Sequence, residues 1–188
     1  MVSYNFPQSL NEYCYFSNSL NETFFSNLNN IIQPLEYQTA GVKNDFNQST
    51  RNSQIKWILP NDNSKFLYDT LTYYTKYAND SNYSLDIVGS KDAIQYTEYD
   101  SKTNDNYDWH LDIGKESTRK LSIIVQLSSP DEYEGGELQL KMGPEPTNIP
   151  KQKGFITVFP SFLLHRVTPV TKGLRKSLVW WVGGSQFK

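Results

Sequence analysis

The chain has 188 residues and a formal net charge of −2, enough for one domain with a real core. No run of Lys and Arg supplies the electrostatic footprint of a nucleic-acid or anionic-membrane partner, and no stretch approaches the roughly 18 apolar residues of a membrane span. The N-terminus lacks a signal-peptide pattern, and the one cysteine, Cys14, excludes an intrachain disulfide framework, so the expectation is a soluble, cytoplasmic protein in which Cys14 packs as a small hydrophobe.

The first part of the chain reads as helical. Leu20, Phe24, Leu28 and Ile31 or Ile32 recur at helical spacing, with Ser17 or Ser19 as cap and Pro34 as stop. Residues 43–54 hold almost no apolar anchor and read as a loop. "IKWIL" reads as a short strand ended by Pro60. A second helix follows in "NSKFLYDTLTYYTKYAND", with Phe66, Leu67, Leu71, Tyr74 and Ala78 on one side.

After residue 84 the period changes to two. "SLDIVG", "AIQYTEYD", "YDWHLDIG", "KLSIIVQLS", "GELQLKM", "GFITVFP", "LLHRVTPV" and "KSLVWWVGG" are short apolar runs punctuated by Gly, Pro, Asp or Ser. About eight short strands in some hundred residues predict a sandwich, jelly roll or barrel with two helices packed outside. No linker or internal repeat divides the chain. It reads as one domain over 1–188, with helical support over 1–83 and a β core over 84–184.

Only two histidines occur, His110 in "NYDWHLDIG" and His165 in "FPSFLLHRVTPV". In a strand, residues i and i+2 share a side, so "H-L-D" aims His110 and Asp112 at one point. His165 stands 55 positions later, a distance that returns the chain to a facing strand in a jelly roll. Two imidazoles and one carboxylate form the facial triad of non-heme Fe(II) oxygenases, with open positions for a co-substrate and O2. Alone, His-x-Asp is a weak signal, and His165 also reads as a satisfied core histidine. Arg175, ten positions after His165, opens a strand, where a planar guanidinium could grip a carboxylate. Ser177 faces the same side. A surface ion pair is the other reading of Arg175.

The stretches "YDWHLDIG", "RKLSIIVQLSSPDEYEGGELQL" and "GFITVFPSFLLHRVTPVTKGLRKSLVWWVGG" resemble the 2-oxoglutarate/Fe(II)-dependent dioxygenases of the prolyl 4-hydroxylase superfamily, nearest the PKHD-type hydroxylases of bacteria and phages. The resemblance implies a mainly β fold with flanking helices. That fold is the double-stranded β-helix, a cupin-like jelly roll with two N-terminal helices on its outer sheet. It implies iron held by His110, Asp112 and His165, and the distal carboxylate of 2-oxoglutarate held by Arg175. It also implies a tyrosine hydroxyl on that carboxylate. Tyr99 has the nearer spacing to His110; Tyr96, of opposite parity, is the fallback. Gln126 is expected to line the same pocket.

The activity implied is hydroxylation of a C–H bond with O2, releasing succinate and CO2, with ascorbate as a candidate reductant. A prolyl residue of a peptide or protein is the expected substrate. The competing readings are an oxygenase of a non-prolyl small molecule, a non-catalytic cupin-like metal-binding module, and a metal-free β-sandwich interaction domain. The sequence leaves the oligomeric state open. If Arg175 enters the pocket, parity also turns Trp181 inward and Trp180 outward beneath a helix.

Overall fold

In a computed structural model, the structure describes residues 12–17, 19–40, 50–114 and 117–186. In chain order the elements are β1 (Cys14–Phe16), α1 (Glu22–Ile32), β2 (Gln38–Thr39), β3 (Arg51–Asn52), β4 (Gln54–Ile58) and α2 (Lys65–Ala78). A π-helical turn, Asn79–Tyr83, closes α2. Then come β5 (Ile87–Gly89), β6 (Ile94–Asp100), β7 (Asn106–His110), β8 (Arg119–Gln126), β9 (Tyr133–Gly135) and β10 (Leu138–Lys141). The last are β11 (Thr147–Asn148), β12 (Ile156–Pro160), β13 (Leu164–Val167) and β14 (Val170–Gly184).

The larger sheet runs β1-β12-β8-β14-β6-β4-β2, with β5 and β9 also paired to β14; the smaller runs β11-β10-β13-β7-β3. All the pairings are antiparallel. The expected double-stranded β-helix is the architecture found.

Strand alternation divides the core into two layers. Ile123, Val125, Leu178 and Trp180 turn outward and meet Phe24, Leu28, Leu67 and Leu71 of the helices. Tyr99, Ile124, Leu140, Phe159 and Val170 form the second layer on the inner face. Leu67 and Leu71 are 0% exposed, and each such burial contributes roughly 1.5–3 kcal/mol. The helices therefore brace the back of the sheet whose front carries the site. Cys14 is half-buried against the outer layer, as a small hydrophobe would be. Among the described residues no helix is long and apolar enough to cross a membrane.

Two local expectations are corrected. The cap of α1 is Asn21, neither Ser17 nor Ser19: Asn21 Oδ1 accepts the Phe24 N–H at 2.9 Å. A cap must sit within a turn of the first free N–H groups, and both serines fall short of it. The polar tract 43–54 is not all loop. Residues 43–49 lie outside the described residues, but 51–52 and 54 enter β3 and β4. Backbone pairing to β7 and β6 holds them there, with no need of an apolar run.

Candidate metal centre

His110 and His165 come together because β7 and β13 are neighbours in the smaller sheet, with His165 directly opposite His110. The expectation of a facing strand is thus corrected: the two histidines share one sheet. Their rings lie 4.1 Å apart between centroids. Each Nδ1 contacts a backbone carbonyl two residues upstream, His110 on Asp108 O at 2.7 Å and His165 on Leu163 O at 2.8 Å. A carbonyl only accepts, so each Nδ1 carries the proton. Each Nε2 then presents a lone pair to the cavity, the tautomer a metal requires.

Asp112 lies two residues beyond the end of β7, so strand alternation does not aim it. Its backbone N–H donates to Ser161 O at 3.0 Å, and Ser122 Oγ donates to Asp112 Oδ2 at 2.6 Å. Ser122 Oγ also meets Ser161 Oγ at 2.9 Å. The carboxylate stands 3.3 Å from His165 Nε2 and 3.8 Å from His110 Nε2. One ligand atom from each of the three residues falls within 4.8 Å of the others. Burial, then the charge of His165, pushes the His110 imidazole down to about 4, so it is neutral at pH 7. Burial pushes the Asp112 carboxyl up. The hydrogen bond and charge of His165, the charge of His110 and the Ser122 hydroxyl outweigh it and hold the group ionised. Two imidazoles and one carboxylate suit a divalent metal.

The inner face of β14 forms one wall of the cavity beside this cluster. Arg175, Ser177, Val179 and Trp181 all line it, together with Gln95 and Tyr99 of β6. Register pairs Arg175 with Tyr99, and Cζ of Arg175 lies 5.4 Å from the Tyr99 ring centroid. Arg175 is 2% exposed; it donates to Ser177 Oγ at 3.4 Å and lies against the Tyr133 hydroxyl, and no described carboxylate pairs with it. A buried guanidinium without an anion is costly. Tyr96 points to the outer layer and donates to Glu98, so of the two tyrosines only Tyr99 lines the cavity. Gln126 does not line the metal cavity. It lines a smaller adjoining one beyond Arg175, donating from Nε2 to Tyr133 OH at 2.9 Å. The tryptophans face as parity requires: Trp181 lines the cavity, and Trp180 packs edge-on against Tyr68 of α2.

Sequence reasoning missed Arg51. It sits in the polar tract, yet its side chain lines the metal cavity. Nη2 donates to Gln95 Oε1 at 2.8 Å, and Nε donates to Ser53 Oγ at 3.0 Å. Its guanidinium stands 4.7 Å from the Tyr107 centroid, and Tyr107 stacks on His110 at 3.4 Å. Only the "R-N-S-Q-I" alternation ahead of "KWIL" hinted at a strand there. Ser122 and Ser161 were also missed, since a serine inside an apolar strand gives no signal of its partner.

Residues 94–183 match the family model described as the 2OG-Fe(II) oxygenase superfamily. A PKHD-type hydroxylase of Synechococcus sp. (strain CC9902) is 40% identical over 86 residues, covering 44% of this chain and 38% of that protein. One of Hyphomonas neptunium is 38% identical over 88 residues, covering 44% and 39%. The matched stretch thus spans about two fifths of those curated relatives. Among solved structures, a Pseudomonas putida prolyl-4-hydroxylase superimposes with TM-score 0.72 at 18% identity, covering 93% of this chain and 94% of that one. A Trichoplax adhaerens prolyl hydroxylase in complex with a hypoxia inducible factor peptide fragment gives 0.75 at 17% identity, covering 92% and 84%. These likenesses show the fold.

Proposed function

We propose that this chain, a member of the 2OG-Fe(II) oxygenase superfamily through its residues 94–183, hydroxylates a C–H bond of a prolyl residue in a peptide or protein, releasing succinate and CO2 from 2-oxoglutarate. The carrying observation is Arg175. A buried guanidinium with no acid partner among the described residues faces the same cavity as a His-Asp-His cluster, and a dicarboxylate co-substrate would supply the missing anion.

The residues fit iron. His110 Nε2, His165 Nε2 and one Asp112 oxygen would hold it on one side, and His/Asp sets of this kind suit Fe(II). When bound, iron with 2-oxoglutarate and O2 supplies the oxidising chemistry. The chain's own part is positional. Ser122 and Ser161 fix the Asp112 carboxylate, and the Asp108 and Leu163 carbonyls fix both imidazole tautomers. Arg175, with Ser177 and Tyr99, would hold the distal carboxylate. Tyr107 and Arg51 hold the His110 ring from its open side. Phe159, Ile124 and Leu138 exclude water from the inner layer. The peptide of the Trichoplax neighbour supports a peptide substrate, by analogy of fold alone.

The test is anaerobic addition of Fe(II) and 2-oxoglutarate. A weak visible charge-transfer band, absent with either component alone, is expected. Metal binding without any effect of 2-oxoglutarate would instead favour a non-catalytic metal-binding module. A peptide screen for a 16 Da gain then addresses the prolyl assignment.

A further inference from the structure

Arg51 is a half-buried cation in the wall of the metal cavity, and no ion pair among the described residues includes it. Its anchors are neutral and buried. Nη2 donates to Gln95 Oε1 and Nε to Ser53 Oγ, and these two residues are 3% and 0% exposed. Thr97 Oγ1 also donates to Gln95 Oε1 at 3.2 Å, which fixes that acceptor in place. A charge held on neutral groups costs stability. Its field falls undiminished on whatever lies beside it.

What lies beside it is His110. The register of β3 on β7 sets Arg51 opposite Tyr107. Guanidinium, phenol ring and imidazole then follow one another in a stack. Cζ of Arg51 lies 4.7 Å from the Tyr107 centroid, and Tyr107 lies 3.4 Å from the His110 centroid at an interplanar angle of 11°. Rings in contact at that distance leave no room for water, so the charge reaches His110 through a medium that screens it poorly. The charged side chains lining the cavity are Arg51, Asp112 and Arg175. A divalent metal and Arg175 balance Asp112 and a dicarboxylate, which leaves Arg51 as the surplus positive charge. Arg119, near by, is already neutralised by Asp92 at 2.9 Å.

Resting on the oxygenase reading, we infer that Arg51 poises the metal: acting through Tyr107 on His110, its charge holds bound iron in the divalent state. One electron added to Fe(III) gives Fe(II) and removes one unit of positive charge from beside the guanidinium, so the fixed cation favours the reduced form. Groups outside the ligand set tune potentials in this way without touching the metal. Arg51 is thus a positioning residue whose effect is electrostatic, beyond its hold on the Tyr107 ring.

The experiment uses the full chain loaded anaerobically with Fe(II) and poised at an electrode through mediators, with Fe(III) read from its electron paramagnetic resonance signal. Arg51→Gln removes the charge and keeps an amide for Gln95 and Ser53. At a fixed potential it should raise the Fe(III)/Fe(II) ratio about tenfold, a fall of about 59 mV in the midpoint. Arg51→Lys keeps the charge and should hold the midpoint near that of the unmodified chain. Ser53→Asp leaves Arg51 in place and gives it a carboxylate, so the midpoint should fall as it does in Arg51→Gln. Zn(II) affinity, measured by competition with a chelating dye, should hold or rise in Arg51→Gln, since a like charge has left the site. An unchanged midpoint in Arg51→Gln overturns the inference; should that variant not fold, an unchanged midpoint in Ser53→Asp does the same. An equal fall in Arg51→Lys, or a loss of Zn(II) affinity in Arg51→Gln, also overturns it and makes Arg51 a prop for the Tyr107 ring. If His110→Ala binds Fe(II) as tightly as the unmodified chain, the metal-centre reading itself has failed and the inference falls with it.

Discussion

Arg175→Met should move protein stability and co-substrate affinity in opposite directions. In the protein alone, Arg175 is 2% exposed and its neighbours are neutral: Ser177 Oγ at 3.4 Å, the Tyr133 hydroxyl and the Tyr99 ring. Desolvation of the charge is therefore uncompensated. Methionine keeps an unbranched stem against Gly136, which leaves no room for a Cβ beside the Arg175 Cδ. Replacing a buried ionic group by a well-packed apolar one is neutral or stabilising by about 1–4 kcal/mol. With 2-oxoglutarate present the sign reverses, because methionine leaves a buried carboxylate unpaired. That costs roughly 3–5 kcal/mol, or about two to four orders of magnitude in Kd. Urea unfolding of the metal-free protein reads the first effect. Anaerobic 2-oxoglutarate titration of the Mn(II)-loaded protein, followed by calorimetry, reads the second. A methionine variant that unfolds more easily yet keeps its 2-oxoglutarate affinity would refute the reasoning and make Arg175 a structural strut between Tyr99 and Tyr133.

Ser122→Ala removes the hydroxyl on Asp112 Oδ2 and should weaken Zn(II) binding roughly 10- to 100-fold, measured by competition with a chelating dye, with little change in melting temperature. Trp180→Ala should cost roughly 3–5 kcal/mol in urea unfolding while 2-oxoglutarate affinity holds, since the ring packs on α2 away from the cavity. Metal-free protein should lose stability as pH falls from about 6.5 to about 4. His110 is held down near 4 when folded, so the unfolded chain takes up the proton first. The contribution is complete above pH 6.5 and is lost through the folded value. His110→Asn should flatten the urea midpoint across that window, and a wild-type midpoint that is already flat would show His110 titrating as if free.

The candidate cluster of His110, Asp112 and His165 was legible because histidine is scarce and chemically specific; its arrangement was not. Spacing brought His110 and His165 together, but only the β7–β13 register shows them opposite one another in one sheet. The i+2 rule named the carboxylate that does lie beside both histidines, but Asp112 is aimed by Ser161 and Ser122 after its strand has ended. Parity did better inside long strands. It placed Arg175, Ser177 and Trp181 on one face and Trp180 on the other, and with the β6–β14 register it turns Tyr99, not Tyr96, toward the cavity. Arg51 was illegible because β3 is two residues long and held by backbone bonds to β7, which leave no hydrophobic pattern. Gln126 shows the remaining limit: its strand face was inferable, but which of two adjoining cavities it reaches depends on Tyr133, seven residues away.

The series Arg175, Ser177, Val179 and Trp181 has a consequence for how such a chain can diverge. All four hang from one strand at a fixed two-residue pitch, so β14 behaves like a reading frame. Side chains can be exchanged one at a time, and a new substrate can be met that way. A single inserted or deleted residue between Gly173 and Trp181 would flip every position beyond it, sending Lys176-type and Trp180-type neighbours inward and one end of the cavity out of phase with the other. Gly173, at φ +72 and pressed against the Glu132 carbonyl, fixes where that frame begins. Divergence within this strand is thus channelled into substitutions. Changes of length are left to the turns and to the rim of the cavity, where no second half of the site is tied to the same count.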